Sequence, residues 1–399
     1  MENNFRKIFH YKNKCRTKVI SVRAIAIAIL IFQLLSAKSI SAQNIDISLF
    51  YAEKPTSFMI TSLSGEYEIR AGGEAIESII KNEIIHISIV DNKINIKAIG
   101  TDFGNFKSIE IIGLSRVNSF RIKVIKPISE SRSYEGNLSL VPENRHIKII
   151  NHVNLESYIA GVVETEGGPK SPFEYYKSQA LICRTYALEH VKRHSSEGFQ
   201  LCDGVHCQAY HGMSMNNPDV EIATMETAGL VIVDEKGELI TAAYHSNCGG
   251  ETENSEDVWI IPLPYLKSIQ EDYCKQSPHS KWEKYIELNK WKIYLKKNGF
   301  KNIDLLKTNN FAYKQHGRQL YYKLNGDSMR LKQIRSDWKF KSTYFWIIPL
   351  DDELYFKGIG YGHGVGLCQE GAMEMARRGF SYKQIIQHYY KNTRIVKYE

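Results

Sequence analysis

Glu166 is the residue best placed for acid chemistry in this 399-residue sequence, within LESYIAGVVETEGGPKSPFEYYKSQALICRTYAL, residues 155–188. The stretch predicts a short helix N-capped by Asn154, a turn over Glu164 to Pro169, and a long helix. For the second helix, Ser171 serves as cap, Pro172 suits the first position and Glu174 closes a capping box. Phe173, Tyr176, Ala180, Cys183, Ala187 and Val191 recur at spacings of three and four, which predicts a helix packed along one face. A carboxylate on a Gly-Gly-Pro turn between two anchored helices is held rigidly, as an acid catalyst must be. The plainer alternative is a solvated turn acid.

Three further stretches carry candidate chemistry. His194 to Gly212 contains Cys202, His206 and Cys207, all zinc-ligand types in one short loop. A tetrahedral site needs a fourth ligand, and His194 is the first candidate, with His211 or His190 behind it; two thiolates would make such a zinc structural. The competing reading is a Cys202–Cys207 disulfide. Tyr244 to Gly250, YHSNCGG, precedes an acidic run. Residues 358–366, GIGYGHGVG, place glycine at every second position, which lets a backbone approach a ligand closely and adopt positive φ. Nucleotide binding is rejected, because His363 and Leu367 stand where GxGxxG or a P-loop needs glycine. No G-x-S-x-G elbow surrounds Ser246, which argues against a nucleophilic hydrolase.

The elements that must position these residues read as an α+β fold: a β-rich N-terminal part followed by a mixed helix and strand domain. IDISLF, SFMITS, YEIRA, IHISIV, KINIKAI, SIEIIG and SFRIKVI alternate apolar and polar residues between turn residues, so 43–140 forms a β-rich domain. YEGNLSL and HIKIINHV continue as strands, and 141–399 forms the catalytic domain. Later elements are a short helix over 222–228, a hairpin turning at Glu235-Lys236-Gly237, a helix near Lys284 to Lys297, and strands QLYYKL, MRLKQI and YFWIIPL. Two closing helices follow, one from about Leu367 to Arg378 and one capped by Ser381.

Residues 1–42 read as a secretion signal, with basic residues before the apolar run AIAIAILIF and small residues up to Ala42. The alternative is an uncleaved signal anchor, the one route to membrane attachment. The sequence holds 52 basic and 44 acidic residues, eight and one of them in 1–42, so the remainder carries a net charge of only +1. That balance gives no argument for nucleic acid. The six cysteines beyond Ala42 are too unevenly spaced for a small disulfide scaffold.

Four motifs stand in order: LESYIAGVVETE with SQALICRTYAL, LCDGVHCQAY, YHSNCGGETENSEDVW with YLKSI, and GYGHGVGLCQEGA. Together they resemble the stage II sporulation protein D and amidase-enhancer family of cell-wall proteins. The resemblance implies an exported enzyme of lytic transglycosylase type, a peptidoglycan lyase that cleaves between N-acetylmuramic acid and N-acetylglucosamine. It implies 1,6-anhydro ends and a preference for strands stripped of stem peptides. The family's catalytic glutamate closes G-V-V-x-x-E and falls on Glu166. The muramic acid 6-hydroxyl replaces the second carboxylate that a hydrolase needs. Glu166 must then be neutral when substrate binds, in an apolar or carboxylate-flanked setting, with Glu164 as a source of like-charge repulsion.

The resemblance also implies the zinc site in some members, and a groove lined by Arg184, Tyr186, His245, Ser246, Gly249, Gly250, His363 and Gln369. For Arg184 two readings stay open: pinning the turn that bears Glu166, or an ordinary helix-surface charge. For the glycines and histidines the bland reading is turn formation and local hydrogen bonds. Two departures concern the glycan subsites: Gly167-Gly168-Pro169 stands where the family has Met-Pro, and Cys368-Gln369-Glu370-Gly371-Ala372 where it has Ser-Gln-aromatic-Gly-Ala. Two other functions are a non-catalytic glycan-binding enhancer of a wall amidase and a zinc-dependent amidase.

Overall fold

The computed structural model describes residues 43–398. The signal expected over 1–42 lies outside the described residues. Among the described residues there are eight α-helices and 22 strands, an α+β fold, and no helix is long and apolar enough to cross a membrane.

Period-two alternation decides the first hundred residues. Ile45, Ile47 and Leu49, Phe58 and Ile60, Ile85 and Ile87, Ile94 and Ile96, and Ile109 and Ile111 all turn inward and are buried, as strands with one covered face require. They form two sheets. One runs Leu201–Cys202, Asn44–Leu49, His146–Asn154, Asn137–Glu143, Ile109–Gly113, Tyr67–Ala71, Glu74–Ile79. The other runs Arg132–Glu135, Ser119–Lys126, Ser57–Ser64, Ile84–Val90, Lys93–Ala98, Thr101–Phe106. The first strand, Asn44–Leu49, pairs antiparallel with His146–Asn154 and parallel with Leu201–Cys202. The seven-stranded sheet therefore draws on both sides of residue 140, and it fixes Cys202 against the first strand.

Strand His146–Asn154 leads straight into α1 (Leu155–Gly167), where Asn154 Oδ1 accepts the amide of Glu156 at 2.9 Å, the predicted N-cap. Glu166 lies in the last turn of α1, not on a loop beyond it; the helix ends at Gly168, with φ 67°. The second helix, α2, spans Phe173–Glu189 and starts differently from the expected capping box. Pro172 is its N-cap with no side-chain cap bond, and the Ser171 hydroxyl donates instead to the Gly167 carbonyl at 2.8 Å. Nor is α2 buried along one face only. Residues around most of its circumference, including Ser178, Gln179, Arg184 and Thr185, are buried, because helices and strands pack on it from several directions.

Helix α3 (Pro218–Glu226) is followed by strand Leu230–Val233, which pairs with Arg394–Lys397 at the C-terminus. The expected turn at 234–237 forms, with the Gly237 amide donating to the Asp234 carbonyl at 3.1 Å, but its return strand is reduced to a single bridge, Val233 to Leu239. After the short helix α4 (Ser255–Trp259) comes a separate aromatic core built from 286–356, with Trp291, Tyr322, Phe340, Phe345 and Phe356 buried. It holds the three-stranded sheet Lys281–Glu287, Glu353–Ile359, Phe345–Pro349, helix α5 (Leu288–Lys297), the hairpin Tyr321–Leu324 with Asp327–Arg330, and α6 (Leu331–Trp338). MRLKQI thus changes from strand to helix at Leu331. Met329 and Leu331 alternate, whereas Leu331, Ile334 and Trp338 follow the helical spacing that prevails. Helices α7 (Gln369–Arg377) and α8 (Tyr382–Tyr389) close the fold, α8 with the Ser381–Gln384 capping box in place.

The glycine repeat serves the fold. A Cβ at Gly366 would sit 2.1 Å from the Ala243 carbonyl oxygen, and one at Gly362 2.7 Å from the His245 Cβ. Positive φ at both lets 360–366 run directly against 243–253; the backbone approached is the chain's own, where a ligand was expected.

Arg184 occupies neither of its expected places. It is fully buried, its Nε 2.9 Å from Glu156 Oε1 and its Nη2 2.5 Å from Glu156 Oε2, and it donates to the carbonyls of Leu230 (3.1 Å) and Thr224 (3.3 Å). The turn beside Glu166 is pinned by Tyr176, whose hydroxyl donates to the Gly168 carbonyl at 3.0 Å and accepts the Ser171 amide at 2.8 Å. Replacing Arg184 by alanine leaves Glu156 without its cation, and urea unfolding is expected to show a loss of about 3–5 kcal/mol. A loss under about 1 kcal/mol, the range of solvated pairs, would refute this role.

Candidate active site

The C-terminal turn of α1, the loop after α2, the paired segments 244–246 and 361–363, and the N-terminus of α7 enclose a cleft of about 750 Å³. Its wall includes Glu166, Tyr186, Tyr244, His245, Ser246, His363 and Gln369, which brings together most of the residues named from sequence. Arg184, Gly249 and Gly250 are not among them. Arg184 is sealed behind α1 as described, and Gly249 and Gly250 form a turn packed on Ile359–Gly360 and Lys275.

Glu166 is half-buried. Its Oε1 accepts the Ala209 amide at 3.1 Å, and its carbonyl accepts Nε2 of Gln369 at 3.3 Å. Burial raises its pKa, against smaller opposing contributions from the Ala209 amide and the Tyr244 hydroxyl. Glu164 contributes nothing to that rise. Two residues along a helix project to nearly opposite faces, and Glu164 Oε2 accepts instead from the Ser214 hydroxyl at 2.5 Å and the Met215 amide at 3.1 Å. The upward shift expected of an acid catalyst comes from desolvation alone.

Among the described residues Glu166 is the one carboxylate in the cleft lining. Glu253 and Asp257 line a smaller adjoining cavity, where Glu253 pairs with Arg318 at 3.0 Å. His245 and His363 lie 5.5 Å apart, ring to ring. Burial holds His245 well below the usual range, and holds His363 down to about 4. Both are therefore neutral at pH 7. His245 Nδ1 binds the Val365 carbonyl at 3.1 Å, and its buried Nε2 has no partner among the described residues.

Several lining residues were not among the site candidates named from sequence. Trp259 at the end of α4 packs 5.3 Å from His363. Arg193 donates to the Tyr186 hydroxyl at 2.5 Å and the His206 carbonyl at 2.9 Å. Arg335, on α6, reaches the cleft from the aromatic subdomain, and its Nε has no hydrogen-bond partner among the described residues. Such residues become legible only once tertiary packing is known.

One wall of the cleft is the thiol and histidine loop. Ligand atoms of His194, Cys202, His206 and Cys207 all lie within 4.8 Å of one another. His194 Nε2 is 3.4 Å from Cys207 Sγ, and His206 Nδ1 is 3.9 Å from Cys202 Sγ. His194 Nδ1 meets Glu197 Oε1 at 2.6 Å, the carboxylate contact that orients a ligand histidine. His190 is elsewhere, stacked on Tyr186 at 4.2 Å, and His211 is outside the group.

Residues 143–233, which hold Glu166 and this loop, match the family model described as stage II sporulation protein. The chain is similar to the stage II sporulation protein D and amidase enhancer family, whose members stand among its relatives. An uncharacterized protein of Brachyspira hyodysenteriae is 27% identical over 368 residues, 89% of this chain and 94% of that protein. Stage II sporulation protein D of Bacillus subtilis is 28% identical over 264 residues, 62% of this chain and 75% of its own length. The amidase enhancer of Bacillus subtilis is 26% identical over 292 residues, 60% of this chain and 40% of the enhancer.

The raised pKa of Glu166 makes a signed prediction. Folding favours its protonated form, so the folded state holds the proton over a pH window in which the unfolded chain has lost it. Wild-type stability therefore falls as pH rises from the ordinary glutamate value through the raised one. Glu166→Gln removes that penalty. Urea unfolding should find the variant more stable than wild type at pH 7, with the gap closing at pH 4. A gap that widens on acidification would contradict a desolvated Glu166.

Proposed function

We propose that this chain acts in the cell wall as an exported lytic transglycosylase on peptidoglycan glycan strands. The observation that carries the reading is a single desolvated carboxyl group in a glycan-sized cleft without a second carboxylate. A hydrolysing glycosidase needs two. Glu166 donates its proton to the glycosidic oxygen as the C1–O bond breaks. The muramic acid 6-hydroxyl then attacks C1 and returns a proton to Glu166, which closes the 1,6-anhydro ring without water. Neutral His245 and His363 offer hydrogen bonds without adding charge, and Trp259 and Tyr186 offer ring faces to sugars. Arg335 supplies a cation suited to the lactyl carboxylate that muramic acid exposes once its stem peptide is gone.

His194, Cys202, His206 and Cys207 fit a closed tetrahedral zinc site, which would brace the cleft wall and contribute no activated water. An enhancer role beside a wall amidase is the second reading, favoured by the amidase enhancer relative.

Peptide-stripped glycan strands, with mass spectrometry of the ends, test the first reading. Glu166→Gln should lower anhydro-muramic product by about 10²–10⁴-fold, the usual share of a general acid. In wild type the rate should fall as pH rises past the raised Glu166 pKa. Absence of anhydro ends from wild type would overturn the reading, and equal activity in the variant would overturn the role of Glu166.

Arg335→Ala should raise KM on strands with free lactyl carboxylates about 10-fold or more, the worth of a charge-assisted hydrogen bond, with kcat little changed. An unchanged KM would remove Arg335 from substrate binding.

A further inference from the structure

Behind the cleft floor, three thiols and a carboxylate from three distant segments converge on one point. Cys248 follows the strand Tyr244–His245, Cys274 and Glu271 sit on the turn after residue 270, and Cys368 ends the strand Leu367–Cys368 as N-cap of α7. Cys248, Cys274 and Cys368 are 0% exposed and Glu271 1%. Their four ligand atoms all lie within 4.8 Å of one another, with Cys248 Sγ 3.4 Å from Cys274 Sγ and 3.0 Å from Glu271 Oε2.

We infer that Cys248, Cys274, Cys368 and Glu271 form a second, structural metal site of zinc type, independent of the His194–Cys207 group. Tetrahedral bonds of about 2.3 Å place zinc-bound sulfurs roughly 3.8 Å apart, a spacing compatible with this cluster. The surroundings are arranged as ligands need. Glu271 Oε1 is engaged by the amides of Tyr273 and Cys274 (3.1 Å to the latter), which leaves Oε2 facing the thiols. Cys368 Sγ accepts the amides of Cys248 at 3.3 Å and Gly371 at 3.4 Å, contacts that orient and stabilise a ligand thiolate. The Tyr389 hydroxyl is buried and unpartnered among the described residues. It crowds the same spot: a Cβ on Gly371 would meet it at 2.4 Å and Glu271 Oε2 at 2.8 Å.

A Cys248–Cys274 disulfide would leave the third thiol and a buried carboxylate with no more than a weak S–H···O contact between them. A divalent cation satisfies all four groups, and soft thiolates select zinc over calcium or magnesium. The site ties Tyr244–His245 to Leu367–Cys368, which pair as Tyr244 with Leu367 and His245 with Cys368. Ser246 and Gln369, one residue beyond each strand, are thereby fixed in the cleft wall.

The test uses full-length protein purified under reducing conditions. Zinc-loaded protein is alkylated with and without a chelator, and each cysteine is read by peptide mass mapping. Cys248, Cys274 and Cys368 should be reduced, resist alkylation, and become reactive together on chelation. Cys202→Ser/Cys207→Ser protein should retain one zinc equivalent by elemental analysis, reduced at least 10-fold in occupancy by adding Glu271→Gln. A mapped Cys248–Cys274 disulfide, or reactivity of the three thiols unaffected by chelation, would overturn the site. The wild-type alkylation decides the matter even where a variant fails to fold, and it does not depend on whether the protein cleaves glycan.

Discussion

A guanidinium with no exposed surface is the constraint on which the half of this fold that bears Glu166 turns. Arg184, mid-way along α2, is held by Glu156 in the first turn of α1, and by the carbonyls of Thr224 on α3 and Leu230 on the strand that follows. Glu156 Oε1 also accepts the Gly229 amide at 2.9 Å. Four elements therefore share one charge pair. Burying two ions carries a desolvation penalty comparable to their attraction, so such a pair specifies an arrangement more than it adds stability. A shift of α1 along α2 would leave an ion buried alone. This fixes the position of the opposite end of α1, where Glu166 is found.

The cleft at that end is built to keep charge scarce. Burial holds Glu166 towards its protonated form and keeps His245 and His363 uncharged. The cations in the wall, Arg193 and Arg335, differ in their freedom. Arg193 is engaged by the Tyr186 hydroxyl and the His206 carbonyl, while Arg335 keeps a buried Nε without a partner among the described residues. A neutral sugar chain carrying an occasional carboxylate suits such a surface better than a polyanion, which would need several free cations.

What could be read from sequence follows the range of the interaction. Asn154 as cap, the alternating strands of 43–140 and Ser381 as cap depend on neighbours a few residues away, and these form as predicted. His194 was reachable because ligand chemistry demanded a fourth group close by. Ser171 was misread because its hydroxyl had a better acceptor, the Gly167 carbonyl, in the turn behind it. Arg184 was misread because a lone arginine on a helix is usually solvated, and no local feature announces a partner 28 residues upstream. The Cys248, Cys274 and Cys368 cluster had no detectable spacing, since its members are spread over 120 residues. Arg335 and Trp259 reach the cleft through tertiary packing of segments far from Glu166.

The two departures from the family's usual motifs make physical sense in this packing. Gly167 is buried against Tyr175 and Tyr176, whose ring carbons would lie at an ordinary contact distance of 3.4 Å from an added Cβ. Gly168, at φ 67°, offers its carbonyl to Tyr176. Glycine and tyrosine together supply the rigidity that a Met-Pro step would provide. Cys368, where serine is usual, faces two other thiols and a carboxylate in a buried pocket, and a thiol can join such a soft ligand set where a hydroxyl would not. Both changes lie behind the cleft surface, and Glu166 and Gln369 still line it together.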